Sequence, residues 1–103
     1  MRLINKSELT FLVKILKNNT SFKVNLNKLS QLQVKDADDG GMGGLIFLSK
    51  NQDRRLGKDI ASYEFKDQDG VTVIATLSLD NFGDLYELDV WKTDFSKLIS
   101  FPT

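Results

Sequence analysis

The chain has 103 residues, 41% of them hydrophobic, with 14 Lys plus Arg balanced by 14 Asp plus Glu and neither Cys nor His. The missing residue types exclude disulfides, thiolate nucleophiles, zinc ribbons, imidazole bases and His-ligated metals, so a binding role rather than an enzyme is expected. The charge balance hides a polarity: residues 1–35 carry seven basic side chains and one acidic one, whereas residues 36–103 carry seven basic and thirteen acidic ones.

This length and apolar content fit one domain over residues 1–103 with one core. No uncharged apolar stretch approaches the roughly 20 residues of a membrane helix, and the N-terminus lacks the apolar run of a signal peptide. A cytoplasmic protein without membrane contact is therefore expected.

In chain order, the first element reads as a helix, because Leu9, Leu12, Val13 and Leu16 recur at three- and four-residue steps, with Phe11 and Ile15 widening the stripe. Asn5 followed by Glu8 has the spacing of a capping box, with Ser7 as the alternative cap, and Asn18-Asn19 marks a stop. Lys14 and Lys17 near the helix end read as compensation of its dipole. Residues 20–35 send mixed signals. Phe22, Val24 and Leu26 alternate as in a strand, Leu26, Leu29 and Gln33 step as in a helix, and Leu32 and Val34 lead into a short strand towards Asp36.

The stretch from Asp36 to Leu45 is irregular, because four glycines in five positions are costly to hold inside a helix or strand. Leu45 to Leu48 is a short apolar strand, and the polar run Ser49 to Asp59 is its exit loop. Ile60 to Lys66 and Val71 to Leu79 alternate, and Gln68-Asp69-Gly70 forms a three-residue hairpin loop with Gly70 at positive φ. That register opposes Phe65 to Val73, Tyr63 to Ala75 and Ala61 to Leu77. Taking Asp80 to Gly83 as a four-residue loop opposes Leu77 to Tyr86, Ala75 to Leu88 and Val73 to Val90. The fold class is then α+β in two layers, an N-terminal helix packed on a three- to five-stranded antiparallel meander.

The opposite face of the meander carries Ser62, Glu64, Thr72, Ile74, Thr76, Glu87, Asp89 and Trp91. In this register Glu64 and Asp89 flank Ile74, and Thr72 sits beside Trp91. The face is acidic with two apolar residues on it, and the C-terminal residues Phe95, Leu98, Ile99 and Phe101 are expected to be buried, on it or elsewhere.

Other chemistry fits poorly. In DADDGG, Gly40 occupies the third ligand position of a calcium loop and Phe47 stands where a bidentate Glu belongs. The glycines Gly40 to Gly44 have no following Lys-Ser/Thr to complete a phosphate cradle. A Glu64/Asp89 pair on an open sheet lacks the desolvated pocket that raises a general acid's pKa. The basic residues are scattered and the Arg54-Arg55 pair is isolated, which argues against direct nucleic-acid binding. No cofactor and no metal are expected.

Three blocks, Asp39 to Leu45 (DGGMGGL), Asp67 to Val71 (DQDGV) and Asp84 to Leu98 (DLYELDVWKTDFSKL), resemble a small uncharacterised bacterial domain family along nearly the whole chain. Gly44 departs from that pattern, where a Ser is usual. Small acidic-faced proteins of this kind also resemble the immunity proteins of contact-dependent growth inhibition systems, which bind and neutralise the toxin domain of a neighbouring gene. The resemblance implies a monomer that pairs with a cognate toxin domain, a basic nuclease, most simply a ribonuclease whose phosphate-binding cleft is filled with carboxylates. The partner-binding residues would be Glu64, Ile74, Glu87, Asp89 and Trp91, joined by the loop carboxylates Asp36, Asp38, Asp39, Asp67 and Asp69. The alternatives are a regulatory interaction module, for instance a homodimer, and a carboxylate- or metal-dependent hydrolase.

Overall fold

The structure is a computed structural model and describes residues 2–17 and 26–102. The Asn18-Asn19 stop and the alternation of Phe22 and Val24 lie outside the described residues.

The first helix, α1 (Lys6–Lys17), starts as its sequence requires. The Glu8 N–H donates to Asn5 Oδ1 at 2.8 Å, and Glu8 Oε1 accepts the Asn5 N–H at 3.0 Å, so Asn5 rather than Ser7 closes the capping box. Glu8 is also gripped by both terminal nitrogens of Arg2 at 2.7 Å, and Arg2 reaches Asp36 at 2.6 Å. The buried stripe centres on Phe11, Leu12, Ile15 and Leu16, with Leu9 and Val13 packed at its margin. A second, one-turn helix, α2 (Leu26–Leu29), follows the Leu26/Leu29 step.

The chain also forms six strands: β1 (Arg2–Leu3), β2 (Gln33–Asp36), β3 (Leu45–Phe47), β4 (Leu56–Lys66), β5 (Thr72–Asp80) and β6 (Leu85–Lys92). Among the described residues they form one antiparallel sheet in the order β1-β2-β3-β6-β5-β4. Two three-stranded halves thus lie edge to edge, joined where Leu45 pairs with Leu88 and Ile46 with Glu87. The sheet exceeds the expected three to five strands because β1, with two residues, is too short to show a period-2 pattern. The exit loop also ends sooner than expected, since Leu56–Asp59 already belongs to β4. Asn81 extends the pairing there, its N–H donating to Arg55 C=O at 3.0 Å and its side-chain oxygen accepting the Arg55 N–H at 2.8 Å.

The first hairpin register is as the alternation predicts, with Phe65 opposite Val73, Tyr63 opposite Ala75 and Ala61 opposite Leu77. Gly70 turns the loop at φ 82° while the Asp67 N–H donates to Val71 C=O at 2.9 Å. The second register is offset by two residues: Leu77 faces Leu88, Ala75 faces Val90 and Val73 faces Lys92. One residue of the offset comes from a longer loop, where Leu79 pairs with Leu85 rather than with Asp84. The other comes from a bulge that leaves Tyr86 without a partner between the Leu79–Leu85 and Ser78–Glu87 pairs. From Glu87 onward the offset of two keeps each residue on its expected face but moves the end of β6 deeper, so that Lys92 arrives opposite the core residue Val73, whereas Leu85, offset by one, turns inward and is buried.

One apolar layer lies between α1 and the sheet. Val34, Leu45, Phe47, Val73, Ala75, Leu77, Leu88 and Val90 are buried beneath the helix. Phe11 is the centre of an aromatic group, with ring centroids 5.7 Å from Tyr63, 5.3 Å from Phe65 and 4.8 Å from Phe101. The last contact shows where the C-terminal segment goes: it crosses to the helix side and closes the core there.

Candidate functional site

The sheet face away from α1 is set by the period-2 alternation of β4, β5 and β6, whose inward residues are claimed by the core. Cross-strand pairing arranges its side chains in rows. One row reads Lys35, Ile46, Glu87, Ser78, Asp59; the next Asp89, Thr76, Ser62; the third Trp91, Ile74, Glu64. Glu64, Ile74, Glu87, Asp89 and Trp91 therefore share the face, as the sequence suggests. The rows differ from expectation: Trp91, not Asp89, lies across Ile74 from Glu64, and Asp89 lies beside Thr76. The longer loop and the bulge at Tyr86 together explain the change, and they dissolve the proposed Glu64/Asp89 pairing across Ile74.

Two features sharpen this face. Asp59, read from sequence as loop, joins Glu87 and Asp89, and half-burial together with these two neighbouring charges raises the Glu87 carboxyl above its usual range. Trp91 is 41% exposed and Phe95 71% exposed, with their rings 6.2 Å apart. The C-terminal segment does not cover them. Phe101 is buried and Leu98 packs on the core, but Phe95 and Ile99 stay exposed, contrary to the expectation that all four are buried.

Most of the loop carboxylates expected to bind a partner already hold groups of their own chain. Asp39 accepts the N–H groups of Gly41, Met42 and Gly44 at 3.2, 3.0 and 2.9 Å, shaping the glycine loop. Asp36 holds Arg2 at 2.6 Å. Asp67 is 5% exposed and meets the Lys92 ammonium at 2.8 Å, while Asp69 meets the same ammonium at 2.7 Å. Asp67 also accepts the backbone N–H groups of Ile99 and Ser100 at 2.8 and 3.2 Å, and Lys92 donates to Lys97 C=O at 3.0 Å. Asp38 is an exposed loop residue with no ion pair among the described residues, and Asp36 and Asp69 are exposed as well despite theirs.

A fully buried lysine is thus the clasp of the C-terminal segment. Burial opposes the ionised form of Asp67, but the N–H groups of Ile99, Gln68 and Ser100 and the Lys92 ammonium outweigh it and bring the carboxyl down to about 2. A depressed carboxyl stabilises the fold above its unfolded value, about 4, and loses that contribution as pH falls through about 2. Asp80 is shifted in the same direction: burial opposes it, and N–H donation from Asp84 and Phe82 with the Arg54 ion pair at 2.8 Å prevails. We therefore expect the urea midpoint to be flat from about pH 7 to about pH 5 and to fall steeply between about pH 4 and about pH 2; a constant midpoint throughout would contradict the clasp.

The glycine loop serves the same segment. Gly41 C=O accepts the Leu98 N–H at 3.1 Å, and at Gly43, where φ is 96°, an added Cβ would lie 2.7 Å from Leu98 Cδ2 and 3.2 Å from the Phe101 ring. At Gly44 an added Cβ would lie 2.6 Å from Asp39 Oδ2 and 3.2 Å from the Leu88 carbonyl, so a side chain there must displace the Asp39 carboxylate that shapes the loop. Gly43→Ala should cost about 1–3 kcal/mol through backbone strain and displacement of Leu98, measured by urea unfolding. Gly40→Ala, which meets open space, separates the two causes because it carries the strain at φ 72° alone.

The three sequence blocks singled out by resemblance therefore meet in one place, where they hold the end of the chain. Lys92 and Phe95 escaped the sequence reading. Lys92 follows from the Lys in Trp91-Lys92-Thr93 once the offset of β6 is known, and Phe95 from being an aromatic just past the end of β6. Among the described residues no group of three carboxylates is placed to hold a metal ion, and no helix is long and apolar enough to cross a membrane.

A family model described as "Domain of unknown function (DUF6984)" matches residues 1–102, and the chain belongs to that family. No curated protein and no solved structure matches it.

Proposed function

We propose that this member of the family is an immunity protein, which binds the basic toxin domain of a neighbouring gene, a nuclease and most simply a ribonuclease, and neutralises it. The observation that carries the reading is the open outer face of the sheet, where Asp59, Glu64, Glu87 and Asp89 share the surface with the exposed pair Trp91 and Phe95 at one end of it. A solvated sheet face has no need of an exposed tryptophan. Carboxylates beside an exposed aromatic pair suit an interface in which charge steers association and the aromatics supply a desolvated anchor. A nuclease must hold phosphates in a basic cleft, and carboxylates at the mouth of that cleft compete with its substrate.

The revised interface is Asp59, Glu64, Ile74, Glu87, Asp89, Trp91 and Phe95. Asp36, Asp39, Asp67 and Asp69 leave it, because their oxygens already serve the fold, and Asp38 leaves it because it lies on the glycine loop and not on the outer face. The protein would act as a monomer in a one-to-one complex in the cytoplasm, without touching nucleic acid itself.

The test is co-purification of the chain with the product of the gene immediately upstream, followed by assay of that product's nuclease activity with and without the chain. Stoichiometric loss of activity supports the reading. An upstream product that neither binds the chain nor cleaves nucleic acid overturns it, and a stable homodimer by light scattering would favour the regulatory module instead.

A further inference from the structure

Resting on the reading of the outer face as a docking surface, we infer that its aromatic pair receives an arginine side chain of the partner, the guanidinium stacking on Trp91 and engaging Asp89 or Glu64. Trp91 and Asp89 are two residues apart on β6, so both point outward about 7 Å apart along the strand, and Glu64 is two strands away in the Trp91 row, about 10 Å across. A planar cation lying on the indole therefore has a carboxylate within reach along the strand and another across the sheet.

Charge selects the occupant. Among the described residues the ion pairs use Glu8, Asp36, Asp67, Asp69 and Asp80, whereas Glu64 and Asp89 have none. Lys66, in the row beyond Glu64, donates instead to Thr72 Oγ1 at 2.5 Å. Asp59, Glu64, Glu87 and Asp89 outnumber Lys35 and Lys66 on this face, so a second copy of it would bring a net excess of like charge together, and a nucleic acid would be repelled. A cationic protein segment is left.

Geometry selects arginine over lysine. The indole and the Phe95 ring stand 6.2 Å apart and are inclined at 53°, forming a shallow open angle rather than a closed cage. A guanidinium can lie flat on one wall and still direct its N–H fork at a carboxylate, whereas an ammonium is a point charge that gives up hydration without gaining the stacked contact.

Trp91 is the chain's one tryptophan, so its fluorescence reports this site without a label. The experiment titrates the intact chain at low salt with two blocked hexapeptides of equal charge, one with three arginines and one with three lysines alternating with glycine. The arginine peptide should shift Trp91 emission at a concentration at least tenfold below that needed by the lysine peptide. Asp89→Asn should remove most of the difference, and Asp53→Asn, on a distant loop, should leave it unchanged. Equal response to the two peptides, or none to either, overturns the inference, and Trp91→Phe followed by calorimetry confirms that the binding heat tracks the indole. These outcomes leave the toxin assay untouched: an upstream product bound without arginine preference sinks this inference alone.

Discussion

Lys92→Met is expected to lower the thermal midpoint by about 15–30 °C, the range for stripping one partner from a buried ion pair in a domain of this size. The cost comes less from the ammonium's own hydrogen bonds than from the charge that stays behind. Asp67 is 5% exposed, and without Lys92 its charge would be opposed only by backbone N–H groups. Asp67→Asn in the Lys92→Met background should recover several degrees, because the side-chain oxygen can still accept from Ile99 or Ser100 while the stranded charge is gone. A Lys92→Met midpoint within about 5 °C of the parent would contradict the placement of this ammonium.

The clasp also has an alkaline limit. Burial pulls the Lys92 ammonium down, but its hydrogen bonds to Asp67 and Asp69 prevail and hold it above its ordinary value. A raised lysine contributes below its unfolded value, about 10.4, and loses that contribution as pH rises through the folded one. Stability should therefore persist through neutral and mildly alkaline pH.

Glu64→Lys combined with Asp89→Lys should weaken toxin binding at least 100-fold at low salt while moving the thermal midpoint by no more than about 3 °C. Both carboxylates are exposed and neither is ion-paired among the described residues, so the fold has little to lose. Removing the Asp89 charge even relieves Glu87, whose carboxyl should fall back towards its usual range. Binding has more to lose, because each attraction in a steered interface becomes a repulsion. The parent's affinity should fall with added salt, and the variant's much less. Unchanged affinity in the double variant would remove the outer face from the interface. A collapse in midpoint would instead show that these residues support the fold.

Much of the fold was legible because the relevant signals are local. The Asn5/Glu8 spacing and the α1 stripe each state a short-range rule, and the Gln68-Asp69-Gly70 loop fixed the β4/β5 register through Gly70. The β5/β6 register was misjudged because a bulge has no consistent residue signature, and alternation cannot distinguish an offset of two from none. The candidate face survived that error for the same reason, since parity alone decides which side of a sheet a residue occupies. The internal partners of the loop carboxylates were not legible for a different reason. Composition shows that Asp67 is charged, but only three-dimensional proximity shows that Lys92, 25 residues later, lies against it at 2.8 Å.

The seam between the two halves of the sheet bears on how the molecule opens. It runs through the pairs Leu45–Leu88 and Ile46–Glu87, whereas β5 is paired along most of its length with β4 on one side and β6 on the other. The half holding β4, β5 and β6 is built from adjacent hairpins that can assemble without waiting for distant chain, and it should form early and behave as its own cooperative unit. Amide hydrogens of β5 should then exchange only through global unfolding, and those of β2 and β3 through a cheaper partial opening at the seam. The proposed docking face belongs to the unit expected to exchange slowly, so opening along the N-terminal half would leave that face assembled.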